Sequence, residues 1–191
     1  FTALEVYGMG GADRVDLNSL DAAETALNNI RLDGDDNAGN ADTSNDTIVI
    51  RSTSNLVSTD TVTMFGGRGD DTFILDSDGD GNFAGGTTDN ITAAIVISPA
   101  TDQADGTDAV FIIDTNDTGG ADDIAITGTT IEGITASMAA ADITYGGSGA
   151  IEGITIFTSS TNSDTVNVQG TATGSTYNIA TQGGADTVNV T

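Results

Sequence analysis

Cysteine, histidine, lysine and tryptophan are all absent from this chain, and proline occurs once, at Pro99. Without cysteine or histidine there is no thiolate or imidazole zinc site, no thiol nucleophile and no imidazole acid–base chemistry. Disulfides and lysine-dependent crosslinks are excluded in the same way. Aromatic residues make up 5% of the sequence, which argues against a core of large rings and for a narrow one of stacked Val, Ile and Ala. No apolar run approaches the length of a membrane span, so membrane insertion is not expected.

Positive charge is also scarce. Four arginines (Arg14, Arg31, Arg51, Arg68) face 29 acids, for a formal charge of −25. Such a balance makes nucleic acid and anionic membrane poor partners. Only four of the acids are glutamates (Glu5, Glu24, Glu132, Glu152), which leaves 25 aspartates. Aspartate is the acid of turns and the short oxygen ligand of calcium.

What is present is repetition. Asp164-Thr165-Val166-Asn167-Val168 returns 22 residues later as Asp186-Thr187-Val188-Asn189-Val190. Looser copies begin at Asp46, Asp60, Asp71, Asp89 and Asp123, each an acid followed by a short β-branched run. Glycine corners precede several, at Gly10-Gly11, Gly66-Gly67, Gly119-Gly120 and Gly183-Gly184. Glycine supplies a positive-φ corner, and the β-branched run a pleated, half-buried strand. A recurring corner, acid and strand is the signature of a stacked repeat architecture. Acid-to-acid spacings of 14, 11, 18 and 22 residues make the repeat irregular.

The fold class expected is therefore all-β, an irregular parallel β-solenoid resembling a β-helix or β-roll. One short inserted helix is expected over Asp21–Ile30, where Asp21 and Glu24 have capping-box spacing. Residues 1–191 read as a single segment of a longer repetitive chain, with a subdivision into 1–120 and 121–191. The start on Phe1 and the close inside a repeat phrase fit a segment of that kind.

Stacked acids carry an electrostatic cost. Coils roughly 4.8 Å apart set aligned aspartates repelling by about 0.9 kcal/mol per neighbour in water, and more near a drier surface. Bound cations would reverse the sign. The corner Gly66-Gly67-Arg68-Gly69-Asp70-Asp71-Thr72-Phe73-Ile74 fits the nine-residue calcium β-roll pattern, with Gly67, Gly69, Asp70 and Asp71 as ligand candidates. The following Asp76-Ser77-Asp78-Gly79-Asp80-Gly81-Asn82 places acids at alternate positions and glycine at the sixth, like the first half of an EF-hand loop. Its twelfth position is Thr87, so it is not an EF-hand. Asp76, Asp78, Asp80 and Asn82 are its candidate ligands, with Asp89 available to close the site. Asp33-Gly34-Asp35-Asp36-Asn37 lacks the sixth-position glycine and reads as a plain loop. Arg68-Gly69-Asp70 spells a cell-attachment tripeptide, but the corner already accounts for all three residues.

Together, Ala121–Thr129, Asp142–Tyr145, Ile151–Ile156 and the two Asp-Thr-Val-Asn-Val phrases resemble the repeat module of large bacterial secreted and surface proteins, akin to calcium-binding repeats-in-toxin proteins and filamentous adhesins. The resemblance implies an extracellular or cell-surface β-rich scaffold with Ca2+. The expected function is non-catalytic: a structural or adhesive segment of a filament, surface layer or matrix, self-associating end to end or side by side, with cell-surface or glycan contacts. The competing reading is a polysaccharide-acting enzyme on a parallel β-helix, which needs paired carboxylates or a calcium with a basic residue. Against it stand the missing lysine and histidine and the scattered arginines. Ice binding by threonine ladders is a third reading, without a regular Thr-x-Thr register to support it.

Overall fold

The computed structural model describes residues 2–21, 26–35, 43–97, 106–136, 142–146 and 151–191. In chain order the strands are β1 (Ala3–Tyr7), β2 (Arg14–Leu17), β3 (Asn29–Asp33), β4 (Thr47–Ile50), β5 (Thr61–Phe65), β6 (Thr72–Leu75), β7 (Ala94–Ile97) and β8 (Ala109–Ile113). They continue with β9 (Asp123–Ile126), β10 (Thr130–Glu132), β11 (Ile143–Tyr145), β12 (Gly153–Phe157), β13 (Thr165–Val168), β14 (Thr176–Ala180) and β15 (Thr187–Val190).

Successive strands alternate between two sheets, except that β9, β10 and β11 all lie in the first. The first sheet runs β1-β3-β5-β7-β11-β10-β9-β13-β15 and the second β14-β12-β8-β6-β4-β2. Among the described residues, all pairings are parallel except those of β10 with its two neighbours. Parallel neighbours one coil apart need a crossover, and here the strand of the opposite sheet supplies it. The chain is all-β, and no helix occurs among the described residues.

The strands between β1 and β15 turn alternate side chains into a core shared by both sheets. Ile30, Val62, Ile95 and Ile143 stack in register across the first sheet. Ile48, Phe73, Val110 and Ile154 do so across the second. All of these are buried in one apolar cluster. Each fully buried Val, Ile or Phe contributes roughly 1.5–3 kcal/mol, so mostly aliphatic rows hold the stack, with Phe73 and Tyr145 as buried rings within them.

Three expectations change. Residues 22–25 of the expected helix lie outside the described residues, but its far end is strand: Asn29 and Ile30 open β3. Ile30 pairs with Leu4 and Val62, and burial in that row outweighs a helical reading of the local sequence. The phrase at Asp89 is a turn leading into β7 rather than a strand. The stack is not parallel throughout, because β9, β10 and β11 form an antiparallel meander that runs back to seat β11 on β7.

The alternation also explains the uneven spacings. Asp46 and Asp60 head strands in opposite sheets, so the 14- and 11-residue intervals are half-coils that together make the 25-residue step from Asp46 to Asp71. The 22-residue step from Asp164 to Asp186 is one whole coil.

Candidate metal centre

The acids that head strands of the second sheet form a ladder. The amide of Asp13 donates to Asp46 Oδ1 at 2.7 Å, that of Asp46 to Asp71 Oδ1 at 2.8 Å, and that of Asp71 to Asp108 Oδ1 at 2.9 Å. Asp108 continues it to Glu152 Oε2 at 2.8 Å. A second ladder joins Asp122 to Asp164 and Asp164 to Asp186, both at 3.0 Å. Each bond is charge-assisted and satisfies a corner amide that no strand partner reaches.

Each acceptor aspartate uses only its Oδ1 in this way. The Oδ2 atoms of Asp13, Asp46, Asp71, Asp122 and Asp164 are buried without a hydrogen-bond partner. Burial pushes Asp46, Asp71 and Asp108 up to about 6, because a desolvated carboxylate disfavours its charge. Gly34 and Gly66 make the space: a Cβ on either would collide with Oδ2 of Asp46 or Asp71.

Thus Asp70 and Asp71 of the β-roll-like corner both bridge coils. Asp70 takes Thr107 N at 2.8 Å and gives its own amide to Asn45 Oδ1 at 3.0 Å. Gly67 and Gly69 have φ of 94° and 124°, the corner conformation expected of glycine.

The second candidate loop starts from a fixed point. Asp76 follows β6, and its amide donates to Ile50 O at 3.1 Å. The chain then leaves the sheet in a loop closed at its base by Ser77 N to Thr87 O and Thr87 N to Ser77 Oγ, both at 3.1 Å. Inside it, Asp78 N bonds Asp76 Oδ1 at 3.2 Å, Asp80 N bonds Asp78 Oδ1 at 3.4 Å, and Asn82 N bonds Asp80 Oδ1 at 2.7 Å. Gly79 and Gly81, at φ of 65° and 69°, alternate with these acids in left-handed conformation.

One carboxylate oxygen from each of Asp76, Asp78 and Asp80 lies within 4.8 Å of the others. Asp76 is fully buried, and its Oδ2 has no partner. The neighbouring Asp78 carboxylate could serve as a donor only by taking up a proton. Burial first, and Asp78 second, push Asp76 up to about 7. Asn82 bonds both oxygens of Asp80 and holds it below its usual range. Three clustered carboxylates with one desolvated oxygen could hold a metal ion, and an all-oxygen set suits a hard cation.

Asp89 is not in this group. Its side chain lies toward the Gly119 corner, where a Cβ would stand 3.0 Å from Asp117 Oδ1 and 3.5 Å from Asp89 Oδ1. Beside it is a carboxylate cluster that the sequence reading misses: Asp114, Asp117 and Asp122. Asp114 Oδ1 takes Thr88 N at 2.7 Å and Thr87 Oγ1 at 3.0 Å. Asp117 Oδ2 takes Asn162 Nδ2 at 2.8 Å. Burial and the Asp114 charge push Asp122 up to about 8. The Gly119-Gly120-Ala121-Asp122 corner was a visible signal, but its convergence with Asp114 at the end of β8 depends on the coil.

No protein-family model matches the chain, and no curated protein or solved structure matches it.

Proposed function

We propose that the chain is a non-catalytic segment of a β-solenoid scaffold, extracellular or on a cell surface, whose Asp-rich turns bind calcium. The observation that carries this reading is Asp76, a fully buried carboxylate with an oxygen that no donor reaches, set beside Asp78 and Asp80. In this reading Asp76, Asp78 and Asp80 hold the ion through oxygen. It supplies the positive charge that four arginines among 29 acids do not.

The arginines support the scaffold role over the enzyme. Arg14 and Arg51 both pair with Asp16, and Arg31 pairs with Asp33 while stacking over Phe65. Self-association, within a filament or matrix, belongs to the proposal.

Titration calorimetry of chelator-treated chain tests the calcium reading. Ca2+ is expected to bind more tightly than Mg2+, and Asp76→Asn is expected to remove at least one site. Absence of saturable Ca2+ binding overturns it.

A further inference from the structure

Beside Asp16, Thr47, Thr72 and Thr155, the outer face of the second sheet carries an apolar patch. Val49, Ile74 and Ile113 point away from the shared core, alternating with the inward Ile48, Ile50, Phe73, Leu75 and Ile112. Val49 and Ile113 are nevertheless completely buried, and Ile74 nearly so. The outer face of the first sheet carries Thr61, Thr63, Thr165 and Asn167 together with Phe65 and Val96, all of them partly exposed.

The loop 77–87 lies over this apolar face as a strap. A Cβ at Gly81 would stand 3.2 Å from Ile74 Cδ1. The Phe83 ring stacks on Phe157 of β12 with centroids 4.5 Å apart. Arg14 donates to Gly79 O at 2.5 Å, and Arg51 donates to Asp78 O. At its far end the strap is tied to the next coil by Gly85 N to Thr115 Oγ1 at 3.0 Å and Asn116 Nδ2 to Gly85 O at 2.7 Å.

The carboxylate group bridges the two parts. Asp76 belongs to the sheet, fixed by its bond to Ile50 O, whereas Asp78 and Asp80 belong to the strap. We propose that a cation at Asp76, Asp78 and Asp80 is a clasp that holds the strap 77–87 down on the outer face of the second sheet, so that its loss uncovers Val49, Ile74 and Ile113. This rests on the calcium reading. With the ion gone, three acids from two elements repel at the junction, and Phe83, the two arginine contacts and the Gly85 ties to Thr115 and Asn116 remain to hold the strap. Because the clasp and the strap contacts favour the same docked state, they are linked: weakening either weakens the other.

Hydrogen exchange of the full chain in saturating Ca2+ and in chelator tests the clasp, run beside calorimetric Ca2+ titration. In chelator the amides of Ser77, Gly85 and Thr87 are expected to exchange at least tenfold faster, while those of β4 and β6 change less than twofold. Phe83→Ala, which removes a half-exposed ring and no ligand oxygen, is expected to weaken Ca2+ binding about tenfold. Ca2+ binding with unchanged strap exchange, or with Phe83→Ala affinity equal to the parent, overturns the clasp and leaves the calcium reading standing. Uniform protection across all strands also overturns it. Absence of Ca2+ binding overturns both.

Discussion

The amide of Asp46 donates to Asp71 Oδ1 across one coil at 2.8 Å, while Asp71 Oδ2 is buried without a partner. A single carboxylate is thus satisfied on one side and starved on the other, and the pattern recurs along the ladder.

Replacing Asp71 separates those two sides. Asp71→Asn keeps an acceptor for the Asp46 amide and sheds the buried charge, so at pH 7 in chelator its stability is expected to equal or exceed the parent's. Asp71→Ala strands that amide, and a loss of about 1–3 kcal/mol is expected. Urea denaturation of the two variants reads the difference.

Acidity should stabilise the metal-free chain. Asp46, Asp71 and Asp108, each raised to about 6, bind protons more strongly folded than unfolded. Their contribution is fully present below the unfolded value near 3.8 and is lost as pH rises through 6. Melting in chelator is expected to be highest near pH 4 and lower at pH 7. A melting temperature that rises over that interval contradicts the burial of these carboxylates.

The glycines beside the ladder are steric requirements. Gly66→Ala places a methyl on Asp71 Oδ2, and a loss of about 1–3 kcal/mol is expected from overpacking. Gly120, where a Cβ meets nothing within 4 Å but φ is 128°, provides the comparison: Gly120→Ala reports backbone strain alone. Chemical denaturation of both variants checks the assignment.

The meander has its own anchor. Tyr145 donates to Thr127 O and shares a hydrogen bond with Tyr177 at 2.9 Å inside the core. Tyr145→Phe is expected to cost about 1–2 kcal/mol, with faster exchange at the Thr127 and Thr130 amides than in β13. Equal exchange in the two places contradicts the anchoring role.

Much of this arrangement is legible in sequence because the unit is local. Val166 and Val168 alternate inward behind Asp164, and the same phrase written at Asp186 forms the next strand. Its acids are legible as corner residues for the same reason. The β10 strand is not, since Thr130-Ile131-Glu132 is three residues long and its reversal at Thr127–Thr129 lacks the Asn-Gly or Asp-Gly pair of a two-residue hairpin. Asp76, Asp78 and Asp80 announce themselves by alternate spacing. Their attachment to the sheet does not, because Arg14 reaches Gly79 across 65 residues. Asp114, Asp117 and Asp122 look like ordinary turn acids until the coil brings them together. Asp71 itself was legible as an acid at a corner, but not as the acceptor for the amide of the preceding coil, since nothing in the local sequence says which residue lies beneath it.

Calorimetric melting at pH 7, in saturating Ca2+ and in chelator, tests most directly whether buried carboxylates need a cation. Ca2+ at 100 times its dissociation constant contributes about 2.7 kcal/mol, or roughly 5–10 °C for a chain of this size. A rise of that order is expected, largely lost in Asp76→Asn. An unchanged melting temperature on removing Ca2+ would contradict it.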